Sequence, residues 1–122
     1  MIKLTFCLHR LPHLTVAEFQ SYWRETHAPL VASHAETLGI RRYVQTHAII
    51  HEMNETIRAS REAPERFDGI AELWWDSWES FFQAGENPGN AEASQALLED
   101  ERKFIDLKHS PLWFNEEHVI VG

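Results

Sequence analysis

The chain has 122 residues, 43% of them hydrophobic, and 11 Lys and Arg against 19 Asp and Glu give a formal net charge of −8. These values fit one domain with one core over residues 1–122. The acidic balance argues against nucleic acid and anionic membrane surfaces as partners. No stretch approaches the roughly 20 apolar residues of a membrane span. Because the single cysteine, Cys7, cannot form an internal disulfide, we expect a cytoplasmic protein.

The first strand and helix have clear boundaries. Residues 2–10 alternate apolar and polar side chains, which predicts a strand. Thr15 and Glu18 have the spacing of a capping box, so a helix begins there, and Gly39 is a suitable C-terminal cap. Because Pro29 has no N–H to donate to a preceding carbonyl, we expect this helix to kink or restart near His27.

Three further strands are predicted, over residues 40–50, 67–76 and 112–121. The polar, charged stretch 51–66 is interpreted as a surface excursion with a short helix around 53–60. Asp76 is placed to cap a short helix that ends at Gly85.

A longer helix is predicted from Ala91. One stripe of this helix carries Leu97, Leu98, Glu101, Phe104 and Ile105, and the charged run 99–103 is interpreted as a solvated face.

The order of these elements predicts an α+β fold of the ferredoxin-like βαββαβ type. Its four-stranded antiparallel sheet would carry the helices on one face. The other face would be bare and partly apolar, so it requires a cover. A second copy packed face to face, in a two-fold homodimer through the open sheet face, provides that cover.

Four segments in order resemble the EthD family. Residues 21–30 resemble the family's Tyr-Trp…His-x-Pro segment, and residues 43–47 its Tyr-x-Gln-x-His strand. Residues 67–76 and 114–118 are similar to its third and last strands. The resemblance implies a dimeric α+β barrel with a pocket between helices and sheet that bears His27 and His47. It implies no single reaction, because fold does not fix function.

The two histidines are the candidate catalytic residues. His27 is predicted on the apolar side of the first helix, where an imidazole can transfer protons at neutral pH. The alternative is a core histidine bonded to a carbonyl or a buried side chain. His47 shares a strand face with Tyr43 and Gln45, so it either completes an acid and base pair with His27 or bonds across the dimer interface.

An aromatic wall is predicted to bind a small apolar or aromatic ligand. The candidate substrate-binding residues are Phe6, Tyr22, Trp23, Tyr43, Gln45 and Trp74. Trp74 and Trp75 are neighbours on a strand, so one should face the helices and the other the partner.

Sequence motifs favour neither a metal site nor a bound cofactor. The chain has no cysteine pair, no His-Glu-x-x-His pattern and no glycine-rich phosphate loop. The first hypothesis is therefore a small cofactor-independent enzyme. It would perform isomerisation, cyclisation or dehydration on an apolar cyclic or aromatic carbonyl compound. The alternatives are a non-catalytic ligand-binding accessory protein of an oxidative degradation pathway, and an oxygenase that uses haem or no cofactor.

Overall fold

The computed structural model describes all 122 residues. In chain order its elements are β1 (Ile2–Leu8), α1 (Val16–Tyr22), a π-helical turn (Trp23–His27), α2 (Ala28–Leu38), β2 (Arg42–His47), α3 (Glu52–Ser60), β3 (Gly69–Trp75), α4 (Trp78–Ala84), α5 (Asn90–Glu101), a 3₁₀ turn (Leu107–His109) and β4 (Leu112–Glu116). The strands form one antiparallel sheet in the order β2-β3-β1-β4. This arrangement confirms the predicted α+β ferredoxin-like fold. No helix is both long and apolar enough to span a bilayer.

Several predicted boundaries are wrong by a few residues. The last strand ends at Glu116 rather than at residue 121, because Glu116 pairs with Ile2 and β1 offers no further partner. The second strand ends at His47, which pairs with Gly69 at the start of β3. Ser77 rather than Asp76 caps α4, since the Ser77 hydroxyl accepts from the backbone N–H of Ser80.

The first helix begins and breaks where the sequence predicts. Thr15 and Glu18 form the capping box. The break is a π-helical turn, in which the N–H of Ala28 donates to the carbonyl of Trp23. Such turns are rare and occur often at functional sites. Here the turn places both Trp23 and His27 in the core, at 1% and 5% exposure.

The core lies between the helices and one face of the sheet. Its buried members are Phe6, Leu8, Phe19, Trp23, Ala71, Phe104 and Ile105. Gly69 allows the Trp23 ring to lie directly against β3, because a Cβ there would lie 2.4 Å from a ring carbon. A larger residue at position 69 would therefore displace the tryptophan that borders the candidate site.

The opposite face of the sheet has no helix over it, and it is more polar than the sequence pattern indicates. Lys3 and Glu72 form an ion pair at 2.7 Å. Trp74 lies between the cations of Lys3 and Arg42, which approach its ring to 5.4 and 4.7 Å. Trp113, on β4, is 48% exposed on this face.

Candidate active site

His27 is held by a buried carboxylate from a different helix. Its Nδ1 lies 2.7 Å from Oδ2 of Asp100 on α5. The other carboxylate oxygen of Asp100 accepts from the Tyr22 hydroxyl at 2.5 Å. The Lys103 ammonium lies 3.7 Å from that same oxygen. We call His27, Asp100 and Tyr22 the His27 network.

The electrostatics of this network fix its proton positions. Burial lowers the pKa of His27, although the carboxylate of Asp100 opposes that effect, so the ring is neutral near pH 7. Burial alone would raise the pKa of Asp100, but hydrogen bonds from Tyr22 and His27 outweigh it and lower that pKa. A carboxylate can only accept, so Nδ1 of His27 carries the proton and Nε2 carries a lone pair.

Burial and the hydrogen bond to Asp100 raise the pKa of Tyr22 to about 12. Tyr22 therefore stays protonated and donates to the carboxylate. It supports Asp100 and lines neither of the cavities between helices and sheet.

Two adjoining cavities lie between the sheet and the helices. The smaller, of about 40 Å³, is lined by His27 together with Trp23, Tyr43 and other apolar residues. The larger, of about 320 Å³, is mostly apolar and extends towards Trp75 and α4. Four residues line both: Phe6, Leu73, Leu97 and Glu101. We call the two volumes together the helix-side cavity.

Glu101 is the one carboxylate in that cavity. Burial, with a smaller contribution from the negative charge of Asp100, raises the pKa of Glu101 to about 7. The group is therefore partly protonated at neutral pH, and its environment differs sharply from that of Asp100 beside it. Neighbouring carboxyl groups with pKa values pushed apart are a common feature of acid and base chemistry.

His47 does not share a cavity with His27. Its ring stacks on the Trp23 indole at 4.3 Å between centroids and lines a different hollow beside Phe67 and Arg66. Its Nε2 lies 2.8 Å from Oε1 of Gln45. The predicted pairing of His27 with His47 is therefore absent from this structure, because the Trp23 ring borders both sites.

Gln45 connects β2 to the π-helical turn through hydrogen bonds. Its amide nitrogen donates to the Trp23 carbonyl at 2.9 Å and to the Tyr43 hydroxyl at 2.8 Å. The first contact stabilises a carbonyl of the π-helical turn. We call His47, Gln45 and Tyr43 the His47 network.

The predicted aromatic wall is only partly assembled. Phe6, Trp23 and Tyr43 line the helix-side cavity, whereas Gln45 does not. Trp74 lies on the opposite face of the sheet, so its predicted place in the pocket is wrong. Trp75 points to the helices instead, where its indole N–H donates to the Leu38 carbonyl and its ring lines the larger cavity. Because successive side chains of a strand point to opposite faces, Trp74 and Trp75 must lie on opposite faces of the sheet.

Asp100 and Glu101 are missing from the predicted site because, although Glu101 falls on the predicted stripe, the charged run 99–103 is interpreted as a solvated face. That interpretation is wrong for both residues, since Asp100 is 6% exposed and Glu101 lines the cavity. A signal was present in the spacing. Asp100 lies three residues after Leu97 and four before Phe104, so it belongs to the apolar stripe of α5.

No three His, Cys, Asp or Glu side chains lie close enough together to hold a metal ion. The residues that line the helix-side cavity offer one imidazole and one carboxyl group, together with Asn90, Ser94 and Tyr43, among mostly apolar side chains. That set suits proton transfer and hydrogen bonding to a small molecule.

A ferredoxin-like sheet with a cavity under its helices and a buried histidine–carboxylate pair defines the class: a small α+β protein with an internal apolar site. The EthD domain matches residues 11–108, and the chain belongs to the EthD family. No curated protein matches the chain.

Solved structures agree with this assignment. The chain is similar to an ethyl tert-butyl ether D (EthD) family protein from Bacillus halodurans C-125, with 26% identity, a TM-score of 0.64, and coverage of 97% of this chain and 99% of that one. An EthD-like protein from Ralstonia eutropha JMP134 has 18% identity and a TM-score of 0.62, with 98% and 94% covered. A dimeric protein of unknown function with a ferredoxin-like fold, from Bacteroides fragilis NCTC 9343, has 8% identity and a TM-score of 0.57, with 95% of each chain covered.

Proposed function

We propose that the chain is a small enzyme that performs acid and base chemistry on an apolar cyclic or aromatic carbonyl compound. One observation carries the proposal: His27 is anchored by the buried Asp100 carboxylate while it lines an apolar cavity. An isolated core histidine needs no ionised partner. Membership of the EthD family supports a small enzyme or an accessory role and does not specify a reaction.

The geometry supports a part for each group in proton transfer. With its Nδ1 proton donated to Asp100, His27 presents the lone pair of Nε2 as a general base. It would take a proton from a carbon next to the substrate carbonyl, and Asp100 would stabilise the imidazolium that forms. In an isomerisation the same proton returns to another atom of the substrate. In a dehydration it leaves with the departing hydroxide as water.

The shape of the cavity supports a cyclic substrate. The larger volume, about 320 Å³ with aromatic side chains at its wall, suits the apolar body of a flat ring system. The volume beside His27, about 40 Å³, admits only a small group. The substrate would therefore present one reacting edge to the histidine while the rest of the molecule stays in the larger part.

The test is hydrogen–deuterium exchange next to the carbonyl, followed by mass spectrometry on a panel of cyclic ketones and lactones in heavy water. We expect His27→Asn to slow exchange by about 10²–10⁴-fold, the range of a lost general base. Asparagine keeps an N–H near the position of Nδ1 for Asp100, so the fold should survive. The matched control is His47→Gln, which should exchange at the wild-type rate.

Exchange that is unaffected by His27→Asn would contradict the assignment of His27. Absence of exchange with every compound, together with tight binding of one of them, would favour the accessory role instead.

We also propose that the chain works as a homodimer through the open sheet face. Trp113 is 48% exposed there, and no helix covers that face. An arginine at position 113 would cost the monomer little but would place an unpaired charge in the interface. Light scattering should therefore find a dimer in the wild type and a monomer for Trp113→Arg. Trp78→Arg is the control, because Trp78 is 47% exposed on the helical side. A monomeric wild type would contradict the proposal.

A further inference from the structure

Glu101 occupies the junction of the two parts of the helix-side cavity. It is the last residue of α5, and it lines the small volume beside His27 as well as the large apolar one. The other three shared lining residues are the apolar Phe6, Leu73 and Leu97. Any molecule that extends from the large volume towards His27 would therefore pass beside Glu101.

The Glu101 side chain has no partner within the chain. Its neighbour Asp100 accepts hydrogen bonds from Tyr22 and His27, whereas Glu101 takes part in no side-chain hydrogen bond or ion pair. Every fully buried polar side-chain atom of the structure does have a partner. The carboxyl oxygens of Glu101 are therefore not sealed in protein but open to a small molecule.

The surroundings of this group disfavour its charged form. Desolvation comes first, followed by the negative charge of Asp100. The C-terminal end of α5 adds the negative pole of a helix dipole. The other ionisable groups around the small volume are His27 on the π-helical turn, neutral near pH 7, and Tyr43 on β2, whose pKa is raised by burial. No lysine or arginine lines either volume.

We propose that Glu101, in its protonated form, donates a hydrogen bond to the carbonyl oxygen of the ligand, so that the cavity selects uncharged cyclic ketones or lactones and rejects carboxylates. The inference deepens the proposed function by naming the substrate class of the same cavity. A carboxylate ligand would meet Asp100 nearby and no cation, and burial of an unpaired charge is costly.

The same hydrogen bond would assist the chemistry at His27. When Nε2 of His27 removes the proton next to the carbonyl, negative charge develops on the carbonyl oxygen. A carboxyl O–H directed at that oxygen stabilises the charge as it forms. The proton on His27 then returns to the substrate, so that Glu101 ends the cycle as it began. Glu101 would thus act as a catalytic acid opposite the base.

The first experiment measures the protonation state directly. Infrared difference spectroscopy should show the carbonyl stretch of a protonated carboxyl below pH 7 that disappears above it, near the pKa of about 7. Glu101→Gln should remove this band. Glu99→Gln, at an exposed position on the same helix, should leave it in place. A Glu101 that is already ionised well below pH 7 would overturn the proposal.

The second experiment measures selection by calorimetry with α-tetralone, the hydrocarbon tetralin, and naphthoate. We expect the wild type to bind the ketone about fivefold to tenfold more tightly than the hydrocarbon, the value of one hydrogen bond, and to bind naphthoate more weakly than either. Glu101→Leu should abolish the preference for the ketone. Glu101→Gln, which keeps an N–H donor, should retain it and lose its dependence on pH.

Equal affinity of the wild type for ketone and hydrocarbon, or no binding of either, would overturn the assignment. So would a preference that survives Glu101→Leu. These results are separate from those of the exchange assay. Selective ketone binding without proton exchange would support Glu101 as the hydrogen-bond donor and contradict the proposed enzymatic activity. Proton exchange without a preference for the ketone would support His27 as the base and contradict the role of Glu101.

Discussion

Two histidines lie near the same tryptophan and have opposite surroundings. His27 is buried and bonded to the ionised carboxylate of Asp100, which Tyr22 also holds. His47 is half-buried, stacks on Trp23, and bonds to the neutral amide of Gln45. Burial lowers the pKa of both rings, so burial alone does not distinguish them.

The partners set opposite tautomers in the two rings. The Asp100 carboxylate can only accept, so His27 is protonated at Nδ1. The amide nitrogen of Gln45 already donates to two oxygens, so its Oε1 accepts from His47 and the proton of that ring is on Nε2. The charged acceptor leaves a lone pair on Nε2 of His27, whereas the neutral amide of Gln45 holds the His47 ring through its own Nε2.

The largest effect is expected from a variant that removes the charge difference between the His27 and His47 networks. Asp100→Asn keeps the shape of the side chain but cannot stabilise an imidazolium on His27. We expect the deuterium exchange rate to fall by about 10²–10³-fold, while the fold by circular dichroism is retained. His47→Gln, which removes the ring bonded to Gln45, should destabilise the chain and leave the exchange rate per folded molecule unchanged. Equal losses of exchange in both variants would show that the two networks are not different in kind.

Residue patterns predicted the fold and the position of His27, but they did not predict its partner. Strand alternation, the capping box at Thr15 and the proline after His27 are local signals, and each acts within one element. Asp100 lies 73 positions from His27, so their contact depends on how α5 packs against the π-helical turn. Tertiary packing of this kind leaves no local trace beyond the periodicity of the α5 stripe.

The error at His47 has a similar physical origin. Strand alternation correctly places Tyr43, Gln45 and His47 on one face of the sheet, and in the structure that face is covered by the helices. Which helix residue covers each of them depends on the small size of Gly69, against which the Trp23 ring packs. Alternation assigns a face, but the volumes of neighbouring side chains decide which cavity a residue reaches.

A second prediction uses pH to separate the contribution of Glu101 to stability from that of the two histidines. The raised pKa of Glu101 means that its contribution to stability is lost as pH rises from 4.5 to about 7. The lowered pKa values of His27 and His47 act in the opposite direction: their contribution is present above pH 6.5 and is lost as pH falls. The two effects have opposite signs in the wild type.

Glu101→Gln removes the first effect alone. Relative to the wild type, its free energy of unfolding should therefore rise more steeply between pH 4.5 and about 7, by on the order of 2 kcal/mol after allowance for partial solvation. Urea denaturation at fixed protein concentration measures this, and Glu99→Gln should parallel the wild type. If the two glutamine variants have the same pH profile, Glu101 is not shifted in the folded state.

The smallest expected effect is the difference in the free energy of unfolding between Tyr→Phe variants in the two networks. Tyr22 donates to a carboxylate, whereas Tyr43 accepts from the amide of Gln45. Hydrogen bonds to charged groups contribute about 1.5–3 kcal/mol and neutral ones about 0.5–1.5 kcal/mol, so Tyr22→Phe should destabilise the chain more than Tyr43→Phe does. Tyr22 is half-buried, which places its loss near the lower end of that range. Urea denaturation of both variants at pH 7 gives the two values.

Adding Asp100→Asn to each variant tests whether the charge of Asp100 causes this difference. The addition should reduce the loss of stability for Tyr22→Phe and leave that for Tyr43→Phe unchanged, because only Tyr22 is coupled to the carboxylate. A double-mutant cycle without coupling between Tyr22 and Asp100 would mean that the charge of Asp100 does not distinguish the two networks, and the assignment of His27 as the prepared base would lose its physical basis.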